Sequence, residues 1–247
     1  MSRRSIRNCN KGATLVELLV ASTIGVLLVS LTHGVVLSNQ RLYQYDLLRT
    51  ELTQNLRSAL DIIAGNAREA GERLPSGFPA LEVVDGGGAV PDELVIRRNL
   101  LDEVLVVCSS ISAGSTNTTI YASSSSATIP ACVYPSQMTQ WSTWGTYRGD
   151  NGGTVNAYVY NQSTRLGEFV TYISENNGAD LSITKAAGSW TNDYPAQNSA
   201  VYMLSEWRYR INGEYLEVIR DDDDANPLLI VYGIENFQVK VEMQDGT

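Results

Sequence analysis

The first strong pattern in the chain is an apolar run over residues 13–38, in which Glu17 is the only acidic or basic residue apart from His33. A helix of about 20 apolar residues crosses the hydrocarbon core of a membrane. Residues 1–12 contain four basic residues and no acidic one, and such a flank stays in the cytoplasm. Because cleaved secretory signals have apolar regions of only about 7–15 residues, the pattern predicts a membrane span.

A helical pattern continues beyond the span as an amphipathic stretch. Apolar residues recur at steps of three and four from Tyr45 to Ala70, and charged residues lie between them. Gly71 and Pro75 then indicate the end of the helix. We expect one long helix over residues 13–70, with a membrane half over residues 13–38 and an amphipathic half over residues 39–71.

After residue 71 the apolar residues recur at every second position, which predicts short strands in residues 72–247. Asn212-Gly213 indicates a hairpin, because both turn positions tolerate positive φ. The expected fold class is therefore α+β, with an antiparallel sheet packed on the long helix. The predicted strands cover residues 93–98, 104–108, 155–160, 168–174, 201–211, 215–220, 228–232 and 237–243.

Composition makes most catalytic chemistry improbable. His33 is the only histidine and lies in the apolar run, so a nucleophile in the rest of the chain would have no histidine base. None of the three lysines follows a glycine, as a phosphate-binding loop requires. The net charge of −9 disfavours nucleic-acid binding. We expect a protein that is not an enzyme and has no cofactor, although acid count alone leaves a carboxylate-based hydrolase open.

The start of the apolar run carries a specific motif. Residues 11–21, KGATLVELLVA, resemble the type IV prepilin signal, in which a basic leader ending in glycine precedes an apolar stretch with glutamate at its fifth position. The resemblance implies a leader peptide over residues 1–12, which a prepilin peptidase removes by cutting after Gly12, and methylation of the new amine on Ala13. It also implies that Glu17 pairs with the Ala13 amine of a neighbouring subunit, which would offset the cost of a lone carboxylate in a membrane. Most of the family has phenylalanine where this chain has Ala13.

Two further segments resemble PilW-type minor pilins. Residues 65–71, GNAREAG, look like their helix end, and residues 227–239, PLLIVYGIENFQV, look like their late strand. The resemblance implies the type IV pilin fold, in which a spine helix packs on a β-rich head over residues 72–247. It implies a structural subunit that primes pilus assembly or sits at the pilus tip, with functions such as twitching motility and adhesion.

The same resemblance implies partners and location. The partners would be the prepilin peptidase, other minor pilins, the major pilin and a tip adhesin. The subunit would sit in the inner membrane with its head in the periplasm, and then enter an extracellular pilus. Two alternatives stay open: a J-type minor pseudopilin of a type II secretion system, with a periplasmic filament, and a ligand-binding head displayed on a pilin stem.

Three groups of residues in the head are further candidates. Once Cys9 leaves with the leader, Cys108 and Cys132 would remain on the oxidising side of the membrane, where a disulfide is expected; it would enclose a predicted loop over residues 109–128. Trp141, Trp144 and Tyr147 lie in a predicted loop and suit either a partner or glycan contact or, more often, a core. The acidic run of Asp221, Asp222, Asp223 and Asp224 suits either calcium or a solvated charge cluster, and it lacks the residue order of a calcium loop.

Overall fold

The computed structural model describes residues 14–124, 132, 137–178 and 180–241. The chain divides into two compact units, with the boundary between Gln54 and Asn55. A single helix, α1 (Leu15–Arg68), begins in the first unit and ends in the second. The predicted long helix is therefore confirmed over the described residues.

In the first unit, α1 leaves its apolar side chains uncovered. Leu15 is 77% exposed and Leu31 is 68% exposed. This helix is long and apolar enough to cross a membrane. Contiguous exposed apolar surface of this kind marks contact with a membrane or with other proteins.

The second unit contains a second helix and two antiparallel sheets. The second helix is α2 (Gln137–Asp150). The strands are β1 (Leu81–Val84), β2 (Glu93–Asn99), β3 (Leu105–Val106), β4 (Thr119–Ser124), β5 (Val155–Asn161), β6 (Leu166–Asn177), β7 (Asp180–Lys185), β8 (Ser199–Tyr202), β9 (Leu204–Asn212), β10 (Tyr215–Arg220) and β11 (Leu228–Tyr232). The first sheet has the order β1-β2-β9-β10-β11, and the second has the order β3-β8-β5-β6-β7-β4.

The last turns of α1 pack on one face of the first sheet. Ala59 is buried in a cluster with Ile96 of β2 and Tyr209 of β9. The amide of Asn66 donates a hydrogen bond to the Tyr209 hydroxyl. Gly71 lies in the turn that follows the helix, with φ of +80°, and its N–H donates to the Arg97 carbonyl at 2.9 Å. These contacts confirm the expected α+β class.

The predicted strand over residues 201–211 is in fact two strands in different sheets. Val201 of β8 pairs with Leu105 and Val159 in the second sheet, whereas Tyr209 of β9 pairs with Leu94 in the first. Met203 lies between the two strands, and its carbonyl accepts a hydrogen bond from the Leu100 N–H at 2.8 Å. The apolar alternation continues through this corner, so it gave no signal that the hydrogen-bonding partners change.

Two other predicted elements near the end of the chain differ in detail. The hairpin between β9 and β10 is confirmed, but Asn212 pairs with Tyr215, so the turn residues are Gly213 and Glu214. Residues 237–241 form no strand, and residues 242–243 lie outside the described part. Instead, Asp92 holds this segment: its N–H donates to the Phe237 carbonyl and its carboxylate accepts from the Val239 N–H, both at 2.8 Å.

The second unit contains elements that the sequence pattern did not predict. The predicted loop over residues 109–128 is wrong in part, because it contains β4, in which Ile120 and Ala122 are fully buried. The predicted loop around Trp141 is wrong, because these residues form α2. Strands β1 and β7 were also missed.

An ion pair fastens α2 to β6. The guanidinium of Arg148 donates to both carboxylate oxygens of Glu175, at 2.8 and 3.1 Å, and the Tyr172 hydroxyl donates to the same carboxylate at 2.6 Å. Gly145 gives the carboxylate room, because a Cβ there would stand 3.0 Å from it. The hydrogen bonds from Arg148 hold the pKa of Glu175 below its usual value, although burial opposes this effect.

We predict that Glu175→Gln lowers the free energy of unfolding at pH 7 by about 1–3 kcal/mol. Because the folded-state pKa of Glu175 is depressed, the carboxylate contributes fully above its unfolded pKa of about 4.3 and loses its contribution as the pH falls through the folded value. Urea unfolding in detergent micelles, followed by tryptophan fluorescence, should therefore show a difference between variant and wild type that shrinks below about pH 4.3.

Glu235→Gln is the matched control, because Glu235 is exposed. Its effect should stay within about 0.5 kcal/mol. A difference between Glu175→Gln and wild type that is the same at pH 7 and pH 3 would contradict this role of the ion pair.

Candidate functional site

Glu17 has a local role at the N-terminus of α1. The N–H and hydroxyl of Thr14 donate to its carboxylate at 2.9 and 3.1 Å, and the Glu17 N–H donates back to the Thr14 hydroxyl oxygen at 3.3 Å. This reciprocal arrangement is a capping box, and it satisfies donors that the first turn of a helix leaves unpaired. The Thr-x-x-Glu spacing could have revealed it, but sequence reasoning missed Thr14. Gly12 and Ala13 lie outside the described residues.

Cys108 and Cys132 form a disulfide, with their Cα atoms 5.4 Å apart. Both residues are buried, at 4% and 0% exposed. The N–H of Cys108 donates to the Tyr121 carbonyl at 2.8 Å, so the bridge begins beside β4. The bridge therefore closes a segment that contains a strand of the second sheet and not only a loop.

The structure places two of the three candidate aromatic residues in the core. Trp141 is 4% exposed and Trp144 is 0% exposed. The Trp144 indole donates to the Glu103 carbonyl at 3.1 Å, and the Trp141 indole donates to the Asn177 side chain. Tyr147 is half-buried, and burial and the nearby Asp221 raise its pKa. This burial favours the core role over a glycan or partner contact.

The carboxylates of the acidic run after β10 are bound by other groups of the same chain. Asp222 and Asp224 bind the Arg208 guanidinium at 2.8 and 2.9 Å. Asp221 accepts a hydrogen bond from the Glu206 N–H at 2.9 Å, and Asp223 accepts from the Asn226 amide. Over residues 14–124, 132, 137–178 and 180–241, no group of three or more acidic, histidine or cysteine residues is placed to hold a metal ion. The run therefore fits the charge-cluster interpretation better than a calcium site.

A cleft lies in the second unit, against the face of the first sheet that is turned away from α1. Its volume is about 520 Å³. Strands β1, β2 and β9 supply one wall, and Tyr158, β6 and the segment around Thr191 supply the other. Its lining residues are Glu82, Val84, Glu93, Val95, Arg97, Tyr158, Gly167, Glu168, Phe169, Thr191, Asn192, Glu206, Arg208 and Asp222.

A buried ion pair forms part of this cleft. Arg97 donates to Glu206 at 2.6 Å and to Glu82 at 2.7 Å. Burial raises the pKa of Glu206, and Arg97 opposes that shift. Burial also raises the pKa of Tyr158 to about 12, so its hydroxyl is neutral near pH 7. Sequence reasoning missed this cluster because Arg97 and Glu206 meet only through the register of β2 and β9.

Comparisons with models of protein families, with curated proteins and with solved structures found no match to this chain. The class that the geometry defines is therefore a coarse one. It is an α+β protein in which a helix of membrane-spanning length and composition precedes two antiparallel sheets.

We predict that Cys132→Ser lowers the free energy of unfolding by about 2–4 kcal/mol, because the open chain gains entropy when it unfolds. Urea unfolding in detergent micelles without reductant measures this change. The experiment uses the uncleaved chain, in which Cys9→Ser is the control and should leave the stability unchanged. Three reactive thiols in the unfolded, unreduced and uncleaved wild-type protein would disprove the disulfide.

Proposed function

We propose that this chain is a minor type IV pilin similar to the PilW type, a structural subunit that primes pilus assembly or sits in the pilus tip complex. The observation that carries the proposal is the uncovered apolar half of α1, whose first turn contains Glu17 in a motif similar to the prepilin signal. An apolar helix of this length suits a bilayer before assembly and a filament core afterwards. The packing of Ala59 on the first sheet is also consistent with a spine helix that carries a head.

The proposed mechanism begins with cleavage after Gly12 by a prepilin peptidase. The freed and methylated amine of Ala13 then becomes the partner of Glu17 on an adjacent subunit. In the structure the Glu17 carboxylate accepts two hydrogen bonds from Thr14 of its own chain. Carboxylates can accept about four hydrogen bonds, so the capping contacts leave capacity for an ammonium group from a neighbour.

The J-type pseudopilin of a type II secretion system uses the same proposed chemistry in a shorter, periplasmic filament. No contact in the described residues favours it over the pilus subunit. The adhesin alternative relied on Trp141 and Trp144 as contact residues, and both are buried. We therefore retain the minor pilin as the proposal.

Coexpression with an active prepilin peptidase should lower the mass of the protein by that of residues 1–12. Mass spectrometry of the intact protein measures the change, with Gly12→Val as the uncleaved control. An unchanged wild-type mass, in cells where the peptidase processes another prepilin, would defeat the proposal.

Substitutions at Glu17 should separate charge pairing from helix capping. Glutamine can replace glutamate in a capping box, but it cannot form an ion pair with an amine. We expect Glu17→Gln and Glu17→Val both to leave the protein inserted and processed, and both to reduce its recovery in sheared filaments by at least about tenfold, as the loss of a buried ion pair implies.

Thr14→Val is the matched control, because it removes the capping hydroxyl and keeps the charge on Glu17. It should be recovered in filaments at close to the wild-type level. Normal recovery of Glu17→Gln together with poor recovery of Glu17→Val would show that capping, and not charge pairing, is what assembly needs.

A further inference from the structure

The cleft on the first sheet is not used by the proposed filament role, and its composition is unusual for a structural feature. Five carboxylates and two guanidinium groups line it: Glu82, Glu93, Glu168, Glu206 and Asp222, and Arg97 and Arg208. Clefts of about 300–1,000 Å³ are the usual size of binding sites for small molecules. The cleft volume of about 520 Å³ falls within that range.

The two arginines cannot balance the carboxylates. Arg97 is shared between Glu82 and Glu206, and Arg208 binds Asp222 and also Asp224, which lies outside the cleft lining and has Arg210 as a second partner. The five carboxylates and two guanidinium groups of the lining therefore leave about three negative charges in excess at pH 7. A cleft with walls of low dielectric concentrates such an excess and attracts a cation.

Glu168 adds a carboxylate whose hydrogen-bond partners are all neutral. It accepts from the N–H groups of Thr191 and Asn192, at 2.9 and 3.1 Å, and from the Tyr194 hydroxyl at 3.0 Å. These contacts fix the carboxylate in the wall and do not cancel its charge. The wall of the cleft therefore carries the charged Glu168 carboxylate in a fixed position.

Tyr158 is an independent indication of a ligand. The residue is only 8% exposed and lines the cleft. Its ring lies over Gly167, where a Cβ would come within 2.6 Å of the hydroxyl, and its edge meets Phe169 at a centroid distance of 4.9 Å. No hydrogen bond joins this hydroxyl to another of the described residues. The hydroxyl belongs to the cleft lining and is therefore available to a ligand.

We propose that this cleft binds a guanidinium or ammonium group, supplied by an arginine or lysine side chain of a partner protein. The carboxylates neutralise the charge, the Tyr158 hydroxyl oxygen accepts a hydrogen bond, and the rings of Tyr158 and Phe169 contribute a cation–π attraction. The excess negative charge is what favours this occupant over a neutral glycan. The inference does not depend on the filament role.

The test uses the full chain in nonionic detergent micelles, with N-acetyl-arginine amide as the probe. The neutral analogue N-acetyl-citrulline amide has nearly the same shape and lacks the charge. Titrations followed by NMR should show binding of the arginine probe that weakens as salt is raised, because salt screens charges. The citrulline probe should bind at least about tenfold more weakly, as expected when a charged hydrogen-bonding group is replaced by a neutral one.

Two conservative variants locate the site. Tyr158→Phe keeps the ring and removes the hydroxyl, and Glu93→Gln removes one charge of the wall; each should weaken binding at least about threefold, a modest loss for one polar group. Glu235→Gln lies outside the cleft and should bind as the wild type does. Thermal unfolding of each variant confirms that it is folded.

Equal binding of the two probes would overturn the proposal, as would unchanged binding by folded Tyr158→Phe and Glu93→Gln proteins. Tighter binding of a neutral oligosaccharide such as maltotriose than of the arginine probe would also overturn it, in favour of a glycan. None of these results would bear on cleavage after Gly12 or on filament recovery, so the two proposals fail separately.

Discussion

The packing of the last turns of α1 against the first sheet is the contact on which the rest of the structure depends. The same helix has exposed apolar side chains at Leu15 and Leu31, but at Ala59 it is buried against Ile96 and Tyr209. A small residue at position 59 lets the helix approach the sheet closely, and the φ of +80° at Gly71 turns the chain back towards β2. One helix therefore serves two environments, because only its last turns have a sheet to cover them.

The two faces of the first sheet are stabilised by different forces. The face towards α1 is apolar, and its stability comes mainly from burial of residues such as Ile96. The opposite face carries Arg97, Glu206 and Arg208, whose charges are paired with one another and with the acidic run after β10. Such pairs add little net stability when their desolvation is counted. The charged face is therefore better explained as a polar surface kept in a defined arrangement than as a source of stability.

The sequence predicted those features that a local pattern encodes. The length of α1 and the β9–β10 hairpin follow from periodicity and from a glycine at the turn. The second helix was missed because Thr, Ser, Gly and Trp have modest helix propensity and its burial at Trp144 comes from tertiary packing. The cleft was missed because β2 and β9 bring together Arg97 and Glu206 from distant parts of the chain.

The corner at Met203 has a mechanical consequence. Strand β8 belongs to the second sheet and β9 to the first, and a single buried residue connects them. At this corner the two sheets are joined by continuous backbone and not by a flexible linker. A tension applied along β9 would pass directly into β8, and from there through the ladder into β5. A force that pulls along β9 would therefore act on both sheets of the second unit.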